Sequence, residues 1–453
     1  METQKNFSTD LFSGVRGSAV KILNRVERTD SYLDKLLHFE LHSQQFNDLD
    51  KNLLYEIVHG VLRWQIKIDW VLTGFFHSNF SKAEIPIKNT LRTALYQILY
   101  LQKIPHHASV NEAVELIKRL RGEKAANLVN AVLRNIIRNV NDIHFPKKEE
   151  DQVQYLSVLY SHPLWIVKRW LDRFGFDETE KLLIANNKIP QLSLRINPLK
   201  MKVAEFCEFL KSKNITFTQS EYLPSFFKTT SFADIADSEL FKQGFITVQD
   251  ESAGLACQLI SAKPGETIID LCAAPGGKST FMAEMMNNSG KIIALEKYSQ
   301  RINLIKSSSE RLHLSIIEPI AGDGCEFEHE PVDKVLVDAP CSGLGVITKK
   351  PDIKLKRDVV DLEKLSKLQF ALLTNAAKLV KKDGIIVYST CTIEPEENYL
   401  LVQKFLAENT NFEIESAVGF CNPKIINNLG IVETFPHIHD MDGSFAVRLK
   451  KIS

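Results

Sequence analysis

The second half of the chain alternates strand-like and helix-like segments, and this alternation limits its possible folds more than any other feature. Short apolar runs rich in β-branched residues predict buried strands in "ETIIDLCAAP", "KIIALE", "SIIEPIAGD", "DKVLVDAP" and "GIIVYSTC". Segments with helical spacing lie between most of them, such as "SQRINLIKSSSERL" and "LEKLSKLQFALLTNAAKLV". The pattern predicts a mostly parallel sheet with helices on both faces over residues 241–453, whose strand ends line one edge.

The first third of the chain has the spacing of helices. Apolar residues recur three and four positions apart in "SGVRGSAVKILNRV", "LLYEIVHGVLRWQIKIDWVL", "SVNEAVELIKRL" and "AANLVNAVLRNIIRNV", which predicts an all-helical domain over residues 1–145. A charged connector, "FPKKEEDQVQ", and an amphipathic helix, "SHPLWIVKRWLDRFG", come next. Residues 150–240 are predicted to form a small α+β module, with "QLSLRINPLK" as a strand, "VAEFCEFLKSKNI" as a helix and strand-like pieces to about Asp237.

The composition is that of a globular protein, with 44% hydrophobic residues and 56 basic residues balanced by 56 acidic ones. Seven cysteines without a CxxC pair argue against a disulfide framework and a zinc ribbon, and favour a reducing cytoplasm. We expect no signal peptide, no membrane-spanning segment and no metal site. The alternating pair His437 and His439 in "PHIHDMD" favours a structural role over a metal site.

The predicted helical domain carries one local surplus of positive charge. Between Glu112 and Asn139 six cations face three acids, and the cations are Lys118, Arg119, Arg121, Lys124, Arg134 and Arg138. Two interpretations stay open. The stretch is either a surface that contacts phosphates or a solvated helix face.

Acidic residues follow consecutive strands of the predicted sheet and lie beside a turn of small residues. The turn is "DLCAAPGGKST", whose Ala and Gly residues let the backbone and the amides of the next helix approach a ligand. The acids are Asp270, Glu296, Asp323 and Asp338. Glu296 is placed to accept hydrogen bonds from ribose hydroxyls and Asp323 from an adenine amino group. The series predicts a site for S-adenosylmethionine.

Two cysteines are predicted at neighbouring strand ends. Cys341 lies in "APCSGLG" after the fourth strand, and Cys391 ends the fifth in "STCTIEP". A single cysteine is more often an inert buried residue, but two in adjacent turns favour chemistry. Carbon 5 of a pyrimidine becomes nucleophilic when a thiolate adds to carbon 6, and a second thiol can assist release as a general base. The pair therefore predicts methylation of a pyrimidine at carbon 5, with Asp338 able to bind the ring nitrogen or the exocyclic amine.

The motifs resemble those of a known family. "DLCAAPGGKST", "DAPCSGLGV" followed by "KKPDIK", and "YSTCTIEPEEN" are similar to the motifs of RNA cytosine-5 methyltransferases with two cysteines. "SVNEAVELIKRL" and "LVNAVLRNI" resemble the antitermination factor NusB. The combination resembles the ribosomal RNA small subunit methyltransferase B (Sun or Fmu) family. The resemblance implies a NusB-like helical bundle, an RRM-like module and a Rossmann-like class I methyltransferase sheet.

The resemblance also implies roles for individual residues. Cys391 would be the nucleophile and Cys341 the cysteine needed for release, with Asp338 in the active site at the edge of the cofactor. The cofactor would lie on Glu296, on Asp323 and on the turn formed by Cys272, Ala273, Ala274, Pro275, Gly276, Gly277 and Lys278. "DGSF" at Asp442 to Phe445 departs from the "DGFF" expected of the family, which concerns only the packing of the last strands.

The implied substrate is a cytosine in 16S ribosomal RNA, free or in early assembly, methylated by a cytoplasmic monomer. Two alternatives remain at this point. The catalytic half would equally suit a transfer RNA cytosine-5 methyltransferase, whereas the NusB-like half alone would suit an RNA-binding module without catalysis.

Overall fold

The computed structural model describes residues 11–29, 31, 33–230 and 238–453. It forms two compact units. The first extends to Asn187 and also includes Lys349–Lys356, and the second comprises Lys188–Thr348 and Arg357–Ser453. The strand-like pieces expected up to Asp237 fall partly on residues 231–237, which lie outside the described residues.

The first unit is helical, as the apolar spacing predicted. Its helices are α1 (Gly14–Arg28), α2 (Leu33–Ser43), α3 (Asp48–Phe75), α4 (Ile85–Tyr100), α5 (His106–Arg121), α6 (Glu123–Arg138), α7 (Gln152–Leu159) and α8 (Leu164–Asn186), followed by the short helix Ile353–Lys356. Residues such as Ile57, Leu95 and Val129 are completely buried in one apolar core. That core, rather than intrinsic propensity, stabilises most of these helices.

Two helical segments of the first unit were not predicted from the sequence. α7 begins inside the predicted connector, because the side chain of Asp151 accepts a hydrogen bond from the backbone N–H of Gln154 and caps the helix. Gly175 lies inside α8 with φ +75 and ψ 178, which is not helical, so α8 consists of two helical segments that meet at a kink. The helix predicted from "SHPLWIVKRWLDRFG" ends at this glycine, and the second segment, which continues to Asn186, has no predicted counterpart.

The small sheet lies in the second unit and has the strand order β2-β3-β1-β4, with antiparallel pairing throughout. Its elements are β1 (Leu192–Ile196), α9 (Val203–Ser212), β2 (Phe217–Gln219), β3 (Phe226–Thr229) and β4 (Ile246–Val248). This is the order of a ferredoxin-like sheet, the class to which RRM domains belong, and it confirms the predicted module. β4 joins the sheet from beyond residue 240, where the module was expected to end.

The large sheet has the order β10-β12-β9-β8-β5-β6-β7, and β11 pairs with β12. The strands are β5 (Thr267–Asp270), β6 (Lys291–Glu296), β7 (Ile317–Ala321), β8 (Val332–Asp338), β9 (Val380–Thr390), β10 (Phe412–Glu415), β11 (Val432–Thr434) and β12 (Ser444–Lys451). The accompanying helices are α10 (Glu251–Ile260), α11 (Gly277–Met285), α12 (Ser299–Leu312), α13 (Val359–Leu379) and α14 (Tyr399–Glu408).

The order of the large sheet places the site. β5, β6, β7, β8 and β9 are parallel, and β12 runs antiparallel to β9. The chain builds outward from β5 to β7, then crosses to β8 on the other side of β5, so the order reverses beside β5. Ligands of open α/β sheets bind at this reversal, outside the carboxyl ends of the strands. The predicted Rossmann-like fold is confirmed. Among the described residues, no helix has both the length and the apolar character needed to cross a bilayer.

Candidate active site

The two predicted thiols lie in contact. β8 and β9 are neighbours, with Asp338 opposite Ser389, so the turns that follow the two strands meet. The Sγ atoms of Cys341 and Cys391 are 3.2 Å apart. Their hydrogen bond is the largest cause that raises the pKa of Cys341 well above its ordinary value, and burial adds to it. Cys341 is therefore a protonated thiol at neutral pH, able to donate a hydrogen bond to the sulfur of Cys391.

Asp338 and Lys278 form an ion pair next to the thiols. Lys278 Nζ lies 2.6 Å from Asp338 Oδ2, and Ser389 Oγ donates to Asp338 Oδ1 at 2.9 Å. Burial is the largest single cause and lowers the pKa of Lys278, but the charge and hydrogen bond of Asp338, together with Cys257 and Cys391, raise it by more. The net pKa of Lys278 is raised, so its ammonium stays charged beside Cys391. A cation in that position stabilises negative charge on sulfur.

The turn between β5 and α11 is closely packed. Gly276 has φ +106, and a Cβ added there would lie 3.2 Å from the backbone of Ile305. α11 begins at Gly277, so the first amides of this helix face out of the turn without acceptors within the helix. The backbone N–H of Ala273 bonds Leu295 O at 2.8 Å, which fixes the turn to β6. The turn therefore offers backbone donors instead of side chains, as the sequence predicted.

The predicted acids line the same edge. Glu296, buried at the end of β6, accepts a hydrogen bond from Tyr298 N at 2.9 Å and lies 3.1 Å from Arg301 Nη1. Asp323 follows β7, and the hydrogen bond from Lys297 is the largest of the causes that lower its pKa. It therefore remains an anionic acceptor at neutral pH.

Asp270 takes a different place from the other acids. It ends β5, is almost completely buried and accepts a hydrogen bond from Ser279 Oγ at 2.6 Å. Burial raises its pKa to about 6. Its bond to Ser279 secures the first turn of α11, so Asp270 helps to hold the turn in place.

Arg195 lies in the strand predicted from "QLSLRINPLK", but the sequence did not predict its environment. It is completely buried and lies 2.8 Å from Glu284 Oε1. It also donates to Gly277 O at 3.0 Å and thereby connects β1 of the small sheet to the cofactor turn. No local signal identifies this pairing, because Glu284 lies 89 residues away along the chain.

The basic residues of α5 and α6 are all exposed, and several have partners. Lys118 pairs with Glu123 at 2.6 Å and Arg121 with Glu84 at 2.5 Å. Arg119 donates to a serine hydroxyl of the same unit at 3.0 Å. Two of the cations are thus partly neutralised in place, and both interpretations of this face remain open.

The histidines of "PHIHDMD" lie at the end of a short helix, Pro436–His439. The backbone N–H of Phe435 donates to His439 Nδ1 at 2.9 Å, which gives this ring a structural partner. In the described ranges, no three His, Cys, Asp or Glu side chains are grouped as a metal site would require.

Comparisons with known proteins cover nearly the whole chain. A family model for the 16S rRNA methyltransferase RsmB/F matches residues 257–450, the NusB family model matches residues 13–138, and a model for the ferredoxin-like domain of RsmF/B-like methyltransferases matches residues 162–236. A probable ribosomal RNA small subunit methyltransferase B from Bacillus subtilis is 36% identical over 447 residues, which are 97% of this chain and 99% of the relative.

A second relative and a solved structure also match nearly the whole chain. A protein of the same name from Synechocystis is 34% identical over 450 residues, 96% of this chain and 99% of the relative. The crystal structure of PH0851 superimposes with a TM-score of 0.82 at 27% identity and covers 97% of this chain and 98% of that one. The cofactor of these methyltransferases is S-adenosylmethionine, and the glycine turn and the flanking carboxylates of this chain fit it. The chain belongs to the ribosomal RNA small subunit methyltransferase B family.

Proposed function

We propose that this chain methylates carbon 5 of a cytosine in 16S ribosomal RNA through a covalent bond between Cys391 and carbon 6 of the base. The observation that carries the proposal is the 3.2 Å separation of two thiols at adjacent strand ends, beside a cofactor edge. The names of the Bacillus and Synechocystis relatives support ribosomal RNA of the small subunit as the substrate.

Cys391 is the nucleophile. It directly follows strand β9, whose pairing with β8 and β12 fixes where the turn that contains Cys391 begins. The Lys278 ammonium and the Cys341 thiol both stabilise a negative charge on its sulfur. The thiolate adds to carbon 6, the electron pair of the 5,6 double bond moves toward carbon 5, and carbon 5 becomes nucleophilic.

Cys341 assists release. When the Cys391 sulfur is bonded to carbon 6 it no longer carries negative charge, so the main cause of the raised pKa of Cys341 is removed. Cys341 can then give up its own proton to solvent, and its thiolate, or a water that it positions, accepts the proton from carbon 5. The electrons of the broken C–H bond restore the double bond and expel the Cys391 thiolate.

Asp338 and Lys278 serve both halves of the site. Asp338 lies between the thiols and the cofactor turn and can bind the ring nitrogen or the exocyclic amine of cytosine. Bound S-adenosylmethionine supplies an electrophilic methyl group. The cofactor-binding residues are Cys272, Ala273, Ala274, Pro275, Gly276, Gly277, Lys278, Glu296 and Asp323, with Asp338 at their edge.

The substrate is free or early-assembly RNA, bound by a monomer in the cytoplasm. The helical unit helps to hold it through the exposed cations of α5 and α6. The supporting observation is that these cations cluster on consecutive helices of the unit that the NusB family model matches.

The test uses Cys341→Ala expressed in native cells. The variant should form the bond between Cys391 and carbon 6 but release it slowly, so RNA should stay attached through denaturing purification. Sequencing of the attached RNA identifies the substrate. We expect a 16S ribosomal RNA cytosine, and we expect no attached RNA when Cys391→Ala is added.

The outcomes separate the parts of the proposal. An adduct on transfer RNA keeps the chemistry and overturns the substrate. An adduct that persists without Cys391 rejects Cys391 as the nucleophile. If Cys341→Ala yields no adduct and the chain binds no S-adenosylmethionine in equilibrium dialysis, a binding module without catalysis replaces the proposed enzyme.

A further inference from the structure

Two buried polar side chains follow the nucleophile turn. A short helix, Pro395–Glu397, leads into α14, and Glu397 and Asn398 lie at the junction. They are 0% and 2% exposed. Burying a carboxylate or a carboxamide costs free energy unless its atoms are hydrogen-bonded, so their partners indicate what these residues do.

Glu397 holds both sides of Cys341. Its Oε1 accepts a hydrogen bond from the backbone N–H of Ser342 at 2.8 Å and another from Gln369 Nε2 at 2.8 Å. The same Gln369 nitrogen donates to Pro340 O at 2.9 Å. The residues before and after Cys341 are therefore tied to one carboxylate–carboxamide pair.

Asn398 does the same for Cys391. Its Oδ1 accepts from Thr390 Oγ1 at 2.6 Å, and its Nδ2 donates to Thr392 O at 2.9 Å. Asn398 thus bonds the residues before and after the nucleophile. Glu397 does the same around Cys341, directly to Ser342 and through Gln369 to Pro340.

The two turns are also joined to each other. The hydroxyls of Ser342 and Thr392 are 2.8 Å apart. Tyr388 Oη donates to the backbone carbonyl of Glu397 at 2.6 Å and fixes the junction to β9. Each thiol is one residue away from this connected set of buried hydrogen bonds.

We infer that Glu397 and Asn398 are positioning residues that set the separation of the two thiols, Glu397 by holding the Cys341 turn and Asn398 by holding the Cys391 turn. What this separation is used for rests on the proposed function. The separation itself is a property of the protein alone, so it can be tested without RNA or cofactor.

The electrostatics agree with this role. Burial raises the pKa of Glu397, and hydrogen bonds from Ser342, Gln369 and Thr392 lower it by less. The Glu397 carboxyl in turn contributes to the raised pKa of Cys341. It therefore bears on the release thiol both through geometry and through its charge.

The variants are chosen to keep the shape of the side chains. Glu397→Met removes the acceptor, and Glu397→Gln restores an oxygen that can accept from Ser342. Asn398→Leu removes both bonds of the carboxamide. Glu396→Gln makes the same chemical change as Glu397→Gln at the preceding residue and is the matched control.

The first measurement uses phenylarsine oxide, which condenses with two neighbouring thiols and releases one water. Intact-mass titration gives its affinity for the chain, and the loss of binding in Cys341→Ala and Cys391→Ala assigns the pair. Because binding depends on the effective concentration of the second thiol, we expect Glu397→Met and Asn398→Leu to bind about tenfold or more weakly. Glu397→Gln should stay within about threefold of wild type, since its oxygen remains.

The second measurement separates adduct formation from release in single turnovers with 16S ribosomal RNA. Glu397→Met should form the adduct at nearly the wild-type rate but release it about tenfold more slowly, so adduct accumulates. Asn398→Leu should slow formation by a similar factor, without accumulation. A merely structural role would instead lower both steps together, along with the melting temperature.

Wild-type arsenical affinity in both Glu397→Met and Asn398→Leu overturns the inference whatever the enzyme does. If both variants bind the arsenical more weakly but show the same rates of adduct formation and release as each other, the division of roles between Glu397 and Asn398 is rejected. If no variant forms an adduct, including Cys341→Ala, the proposed function fails. The arsenical titration still decides whether Glu397 and Asn398 set the separation of the two thiols.

Discussion

At the scale of single residues, we expect Lys278 to govern the charge state of Cys391. The groups that face the Lys278 ammonium include Asp338, Asp270, Cys257 and Cys391, and Cys341 contacts the Cys391 sulfur. Lys278→Met removes the cation that stabilises the thiolate and leaves the Asp338 carboxylate, which repels it. Both effects act in the same direction. We expect alkylation of Cys391 by iodoacetamide at pH 7.5 to slow about tenfold, and the rate to recover as the pH is raised.

Lys291→Met is the matched control for this prediction. Lys291 lies at the start of strand β6, is about half exposed and pairs with Glu318 at 2.7 Å. Peptide mapping assigns the alkylated cysteine. An alkylation rate for Lys278→Met equal to that of the control would show that Lys278 does not govern the nucleophile.

The sequence predicted that the two cysteines lie at neighbouring strand ends, but not what surrounds them. The carboxyl ends of adjacent parallel strands share one edge of the sheet, so the turns that follow them emerge side by side. Glu397 and Asn398 were visible in "YSTCTIEPEEN", yet acidic residues after a Pro are usually solvated. The buried position of Glu397 depends on Gln369 and Ser342, which lie 28 and 55 residues away, and no local pattern contains those distances.

At the scale of elements, the basic face of α5 and α6 offers a direct test. Changing Lys118, Arg119, Arg121 and Lys124 together to Ala should weaken RNA binding and flatten its salt dependence. Since two of these cations already pair with acids, we expect the slope of log K against log salt to fall by about 2 to 3. Filter binding of a 16S ribosomal RNA fragment at several salt concentrations gives the slope.

The control for the basic face makes the same change in net charge elsewhere. It changes four other lysines to Ala: Lys364, Lys367, Lys381 and Lys382. Two of these also pair with acids, Lys367 with Glu363 and Lys381 with Asp333. If both quadruple variants keep the wild-type slope, the basic residues of α5 and α6 form a solvated face.

Elements were predictable where one local rule decided them. The strands β5, β6, β8 and β9 coincide with apolar runs in the sequence, because strands of a parallel sheet are buried on both faces and carry few polar residues. α7 was missed since its cap, Asp151, lies in a charged stretch that resembles a linker. The second segment of α8 was missed because a glycine with positive φ ends one helix and does not show whether another follows.

At the scale of the whole molecule, the chain leaves the second unit after Thr348 and returns at Arg357. The residues between, Lys349–Lys356, belong to the first unit, where Lys354 is completely buried. Lys354 Nζ donates to Arg63 O at 2.9 Å across 291 residues of sequence. Sequence patterns predicted successive segments and could not show this excursion, because "KKPDIK" lies inside the catalytic motifs.

Burial lowers the pKa of Lys354 well below its ordinary value, and Arg63 lowers it further. The other titratable group that faces it, His162, is also buried and has a lowered pKa. Between the folded and unfolded pKa values the unfolded chain binds more protons at Lys354. The free energy of unfolding of the first unit should therefore rise with pH in this range, by up to about 1.4 kcal/mol per pH unit.

Lys354→Met should remove this dependence. All four tryptophans, Trp64, Trp70, Trp165 and Trp170, lie in the first unit, so their fluorescence reports its unfolding in urea. Between pH 7.5 and 9.5 His162 is neutral in both states, and other titrations are common to both proteins. We expect wild type to gain at least about 1 kcal/mol more than Lys354→Met over this range. Lys350→Met, at a side chain 53% exposed in the same segment, should keep the wild-type gain. Equal gains in wild type and Lys354→Met would show that Lys354 stays charged in the folded unit. Burial would then not lower its pKa.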